Sequence, residues 1–372
     1  MSRKFTAEPH APRYRQVFEN LSREILSGKY QPGQKFPSEA ALVQQFRTSR
    51  ITVGRAVREL AQRGLVERIA GSGTYVRRAR ENGRLFGLLI PDLGQTEIFE
   101  PICQGIASAP QSSRHALLWG HTDPAQASPE ERALALCDQF AARKVSGVFF
   151  APLELAERAR ETNLSIVARL EKARIPVVLL DRCVMPYPRR SRYDLVGIDN
   201  RRAAYMATEH LLRLGAQRLI FLAHSGAAPT VDARVAGFCE TLLASGWDLK
   251  NGPVERVEDV RAATVLPLMK RLRPGDGFVC ANDRTAGELM RVLIPAGYRI
   301  PRDVRIVGID DVEYASLLPV PLTTVRQPCR EIGEAAMVAM LARMEQPGMP
   351  VRDILLDCRL VIRESSGEGL LP

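Results

Sequence analysis

The chain has 372 residues, 45% hydrophobic and 25% charged, with a net charge of +10. That length exceeds one ordinary core and that apolar content belongs to a folded chain, so two or three domains are expected and wholesale disorder is excluded. The longest apolar runs, such as Phe86 to Pro91, fall far short of the roughly 18 to 20 residues that cross a bilayer, which excludes a membrane-spanning protein.

The chain starts MSRKFTAEPHAPRYRQ, basic but with no apolar stretch behind it, so no secretory signal is expected and the cytoplasm is the expected compartment. The excess charge is local. Residues 1–84 hold 17 Lys and Arg against 7 Asp and Glu, and the rest of the chain holds 35 of each. So one-sided a balance in a compact unit points to a polyanion partner.

Tyr14, Val17, Phe18, Leu21 and Ile25 follow helical spacing, and Gly28 with Pro32-Gly33 supplies the stop and turn. Ser38 before Glu39 has the pattern of an N-cap with an acidic first turn, and Ala41, Leu42 and Phe46 give the second helix its apolar side. Ser49 caps a third helix in which Val53, Ala56, Val57 and Leu60 form one core face, leaving Ile51, Arg55 and Arg58 to point away. After Gly64, two short β-prone runs around Gly71-Ser72-Gly73 read as a hairpin.

Three helices and a wing, with a short helix followed closely by a projecting one, are the geometry of a helix-turn-helix reader of duplex DNA. On the third helix Arg50 and Arg55 can donate bidentate bonds to guanine, Thr52 can bond a base or phosphate, and Ile51 can touch a thymine methyl. Lys35 and the helix N-termini capped by Ser38 and Ser49 offer phosphate contacts. The stretch YQPGQKFPSEAALVQQFRTSRITVGRAVRELAQRGLVERIAGSGTYV, residues 30–76, resembles the winged-helix domain of GntR-type transcription regulators. That resemblance implies DNA contacts from Arg50 and Thr52 and a wing around Gly71 and Gly73 that reaches the groove edge. Ala40 and Gly54 stand where the family often has arginine, so its base preferences do not transfer.

Residues 77–84 are charged and without apolar periodicity, which reads as a linker. Beyond them, apolar runs of strand length alternate with helical stretches: Leu85 to Ile90, Ala116 to Trp119, Gly147 to Phe150, Val177 to Leu180, Leu195 to Ile198, Leu219 to Leu222, Phe278 to Cys280 and Val304 to Ile309. Such alternation argues for parallel sheets flanked by helices, in two lobes, with ligands bound at the carboxyl ends of strands. Polar residues stand at those ends: Gln95, Thr96 and Glu97 with Phe99, then Asp181 and Arg182, then Asn282 and Asp283, then Asp310 and Asp311. A strand-end Asp or Asn also commonly caps the next helix, and Asn200, Asp283 and Asp311 carry that alternative.

The segments VVLLDR, VGIDNRRAAYMATEHLLRLGAQRLIFLAHSG, ARVAGF, CANDRTAGELM, PLTTVRQP and LVIRESS are similar, in order, to the periplasmic-binding-like effector domain of LacI-type repressors. The resemblance implies that Asp181, Arg234, Asn282, Asp310 and Gln327 contact the hydroxyls of a sugar-like effector. A GntR-type reader joined to a LacI-type receptor resembles the AraR type of regulator. The expected architecture is therefore an α+β winged helix-turn-helix over residues 1–76, a linker over 77–84, and an α/β two-lobed, doubly wound domain over 85–372. By the resemblance it is also expected to dimerise.

Catalysis is not expected. The five histidines have no metal-ligand spacing, and the chain carries neither a phosphate-binding P-loop nor a nucleophile elbow, so no cofactor or metal is expected. The seven cysteines are odd in number and widely spaced, which reads as buried free thiols.

Overall fold

The computed structural model describes residues 13–26, 29–31, 33–62, 65–69, 72–76, 83–90, 97–119, 128–154 and 158–367. Gly28, Gly64, Gly71, Gln95, Thr96 and most of the expected linker lie outside the described residues. Contacts within the chain divide it into two units, 1–83 and 84–372.

In the first unit, α1 (Arg13–Leu26), α2 (Glu39–Phe46) and α3 (Arg50–Gln62) precede β1 (Val66–Ile69) and β2 (Gly73–Val76). The strands pair antiparallel from Val66 opposite Val76 to Ile69 opposite Gly73. One apolar face from each element closes the core, with Leu21, Leu42, Val53, Ala56 and Leu60 fully buried. Helical spacing is what brings them to one side.

The second unit contains β3 (Leu85–Leu89), α4 (Phe99–Ser108), β4 (Ala116–Trp119), α5 (Pro129–Ala142), β5 (Gly147–Phe150), α6 (Ala159–Lys172), β6 (Val177–Leu180), β7 (Asp194–Ile198) and α7 (Asn200–Arg213). It continues with β8 (Leu219–His224), α8 (Pro229–Ala244), β9 (Val254–Val257), α9 (Ala262–Met269), β10 (Gly277–Cys280), α10 (Asp283–Leu293) and β11 (Arg305–Asp310). It ends with β12 (Thr323–Arg326), α11 (Cys329–Glu345), β13 (Asp353–Leu356) and β14 (Arg359–Val361). Two six-stranded sheets form, in the orders β13-β7-β6-β5-β3-β4 and β14-β12-β11-β10-β8-β9. Every pairing in them is parallel except β12 with β14. Strands β9, β12, β13 and β14 were not expected, because VERV, TTVR, DILL and RLV are short and lack the continuous apolar run that marks the others.

The chain passes between the sheets three times: after β7, after β12, and between β13 and β14. Helix α11 returns to pack on α4, and α7 packs on α8. Glycine makes both crossings possible. A Cβ on Gly105 would stand 2.0 Å from the Arg330 carbonyl oxygen, and one on Gly237 would stand 2.0 Å from that of Arg201. The three passages leave the carboxyl ends of β6, β10 and β11 around one cleft between the lobes.

Candidate effector cleft and DNA-reading surface

In the first unit, α3 starts where it does because Ser49 satisfies its first free donor: the Thr52 N–H donates to Ser49 Oγ at 3.2 Å, and the two hydroxyls lie 2.9 Å apart. Ser38 does the same for α2, accepting from the Ala41 N–H at 3.2 Å. Between the helices Arg47 adopts a left-handed backbone, φ 47°. The turn presents the start of α3 outward, so Arg50 is exposed and Ile51 is 82% exposed. Arg50 Nε lies 3.6 Å from Glu39, a loose pairing of an open guanidinium that a phosphate or guanine acceptor displaces at little cost.

Arg55 is placed differently. Its guanidinium lies 3.9 Å from the centre of the Tyr14 ring, so it is held against α1 and must give up that stacking to reach a base. On the wing, Gly73 has φ +126°, and a Cβ there would meet Lys35 Cε at 3.0 Å. Lys35 also bridges Tyr75 through the backbone, which ties this stretch of main chain to the wing strand.

In the second unit the cleft falls into two chambers that share Glu97, Ile98 and Asp310. The larger is about 1050 Å³ and the inner one about 50 Å³. Two carboxylates enter from strand ends on left-handed backbone: Asp181 after β6 (φ 66°) and Asp310 at the end of β11 (φ 131°). A side chain in that region is strained, by about 1–3 kcal/mol, and persists only where the surroundings fix it. Asp311 follows with φ 56° and is held by Arg326 and by Arg363, the latter at 2.6 Å.

Arg182 pairs with Glu154 and lies 3.1 Å from Asp181. Arg234, on α8, donates to Asn200 at 2.8 Å and to the Ala281 carbonyl at 2.5 Å, and approaches Asp310 at 3.4 Å. Gln327 donates to Asp310 at 2.7 Å. Two acceptors remain: Asp181 Oδ1 and Gln327 Oε1 are buried and have no donor among the described residues. Burial raises the Asp181 carboxyl above its usual range, with Arg182 and Arg234 acting against it. Burial, reinforced by Asp181 and Glu154 and opposed by Arg234 and Gln327, pushes Asp310 up to about 6.

Of the residues expected at the effector, Glu97, Asp181, Arg182, Arg234, Asn282, Asp310 and Gln327 all line one chamber or the other. Asn282 also serves as the α10 cap, accepting from the Thr285 N–H at 2.9 Å, which leaves its amide NH2 for a ligand. Phe99, at the start of α4, could by its position stack on a sugar face or join the core; it is 3% exposed in the lobe's core, with Arg182 above its ring. It lines neither chamber: it packs into the core cluster, while Glu100 and Pro101 of the same turn line the larger chamber. Asp199 rather than Asn200 caps α7, and Asn200 is spent on Arg234. Asp283 and Asp311 are not caps either: Asp283 accepts from Thr324 and from the Val312 N–H.

Sequence reasoning missed Glu154, Thr230, Arg284 and Tyr314, which line the cleft. For Glu154 the signal was present, since it follows β5 as Asp181 follows β6. All seven cysteines are free; Cys103, Cys137, Cys280 and Cys358 are buried and the other three only partly so.

A family model for bacterial regulatory proteins of the gntR family matches residues 13–76, and one for a periplasmic binding protein-like domain matches residues 208–366. The chain is a GntR-type helix-turn-helix domain fused to a periplasmic-binding-like domain. An arabinose metabolism transcriptional repressor of Geobacillus stearothermophilus is 28% identical over 97% of this chain and 99% of its own length. A ribose operon repressor of Halalkalibacterium halodurans is 27% identical over 77% of this chain and 80% of its own. A LacI family regulator from Enterococcus faecium with bound ribose shares the fold, with a TM-score of 0.60 at 23% identity over 76% of this chain and 98% of that one. In the GntR-type domain the matched segment contains Lys35, Arg50 and the wing strands. In the periplasmic-binding-like domain it contains Arg234, Asn282, Asp310 and Gln327. Among the described residues no helix is long and apolar enough to cross a membrane, and no group of His, Cys, Asp and Glu has the arrangement of a metal site.

Proposed function

We propose that this protein is a homodimeric transcriptional repressor whose grip on an operator is set by an uncharged sugar bound between the lobes. The reader (1–76), connector (77–84) and receptor (85–372) are its working parts. The observation that carries the effector class is the pair of buried acceptors left without donors at the cleft, Asp181 Oδ1 on its inner chamber and Gln327 Oε1 on its larger one. A buried acceptor without a donor is costly, and a polyol hydroxyl is a donor that satisfies it. The sign of the charge supports the choice. Seven carboxylates and three guanidiniums line the larger chamber, and in the inner one Arg182 and Arg234 are already paired. A sugar phosphate or sugar acid would meet net repulsion there.

The two readers of the dimer would engage the halves of a palindrome, and closure of the lobes on the sugar would favour one dimer state over another. A tenfold preference corresponds to about 1.4 kcal/mol. Kinship with an arabinose repressor and a ribose operon repressor supports the same reading. A thermal-shift screen of neutral pentoses and hexoses beside sugar phosphates and sugar acids tests it: a neutral sugar should raise Tm and the anions should not. A screen in which no sugar of any kind raises Tm would overturn the reading.

A further inference from the structure

The charge of the second unit balances overall but not in space. In the lobe built on β3 to β7 and β13 all pairings are parallel, so the strand beginnings share one edge. Basic residues crowd it: Arg143 and Lys144 before β5, Lys172 and Arg174 before β6, and Arg189 before β7 are all exposed, and none has a carboxylate partner among the described residues. Arg190 and Arg192 add two more whose exposed partners are Asp353 and Glu171. The chain enters this lobe at the same edge, since Arg84 immediately precedes β3.

Helix-end electrostatics contributes to the crowding in both lobes. Lysine or arginine near a helix C-terminus is favourable, and the other lobe has such residues too: Arg213, Lys250, Arg271 and Arg299 are each paired with a carboxylate, while Lys270, Arg273 and Arg302 are exposed without one among the described residues. The backbone adds an independent mark. Lys144 and Arg174 both stand two residues past the end of a helix, with φ 51° and 56°. Their amides close identical turns, onto Ala141 and Glu171. In the other lobe the same position after α7 and α8 is Gly215 and Gly246, φ 85° and 76°. Glycine takes that conformation without penalty, and long cationic side chains do not. The chain places a cation there twice, against local preference, and leaves each without a carboxylate.

We propose that this strand-start edge is a second contact for the DNA backbone, engaging phosphates outside the bases read by α3. The proposal rests on the DNA-binding reading above. Each phosphate contact neutralised by a cation changes the slope of log affinity against log salt by about 0.9. The full-length variant Lys144→Gly/Arg174→Gly/Arg189→Gln, compared with wild type on a random-sequence 60-base-pair duplex between 50 and 200 mM KCl, isolates the edge. The expected result is a slope shallower by about 2 to 3, with Tm unchanged or raised because glycine relieves both left-handed positions. Equal slopes would overturn the proposal and leave the reader intact. Absence of wild-type binding at 50 mM KCl would overturn the DNA-binding reading itself.

Discussion

Gln327 donates its side-chain amide to Asp310 Oδ1 at 2.7 Å, and its own Oε1 is buried without a donor. Asp310 is therefore preorganised from one side and the neighbouring acceptor is unsatisfied, an arrangement that a hydroxyl-rich ligand completes. Asp310→Ala should abolish the thermal stabilisation given by the effector, which at a hundredfold excess over Kd amounts to about 2.7 kcal/mol in wild type. Differential scanning fluorimetry reads it, and a retained shift would place the effector elsewhere.

The same cluster makes stability depend on pH. Burial, with Asp310 and Asp311 nearby, pushes Asp283 up to about 7 against hydrogen bonds from Thr324 and Val312, and Asp310 rises to about 6. Both lie above the ordinary 3.8. Between about pH 4 and 7 the folded state then holds more protons than the unfolded one, so this contribution is greatest at the acid end and is lost as pH rises. Each extra proton held is worth about 1.4 kcal/mol per pH unit. Asp283→Asn, which fixes the neutral form, should flatten the dependence of Tm on pH between 5 and 8, and an unchanged profile would count against this origin.

Arg50 and Arg55 are both exposed, but Arg50 is only loosely paired with Glu39 whereas Arg55 is stacked on Tyr14. Arg50→Ala should cost about 1–3 kcal/mol of discrimination between preferred and altered duplexes while leaving effector affinity untouched. Competition binding with both duplexes measures it. Full discrimination in the variant would remove α3 from the role of base reader.

Gly54 sits inside α3, and a Cβ there would meet nothing closer than Glu39 Oε1 at 3.9 Å. Gly54→Ala should therefore stabilise the reader by about 0.5–1 kcal/mol through helix propensity and reduced freedom of the unfolded chain. Chemical denaturation of the full chain is the check, and a destabilised first transition would show that the glycine answers a need the isolated helix does not reveal.

Much of this was legible in the sequence because the signals were local. Caps at Ser38 and Ser49, the core stripe Val53–Ala56–Leu60 and the buried strand runs each depend on a few neighbouring residues. The strand-end rule also brought Asp181, Arg182 and Asp310 to one cleft. What local signals could not show was how each side chain is spent. Arg55 stacks on Tyr14 from another helix, Asn200 answers Arg234 across 34 positions of sequence, and Phe99 turns into the core. The short strands β13 and β14 exist because the chain returns late to both sheets, a long-range fact that four residues cannot encode.

The account turns on linkage between the two units. A duplex selected by the full-length protein from a random pool can be titrated, by fluorescence anisotropy, with and without a saturating neutral sugar that raises Tm. A change in Kd of about tenfold, or 1.4 kcal/mol, is predicted; the same Kd in both titrations would contradict the account.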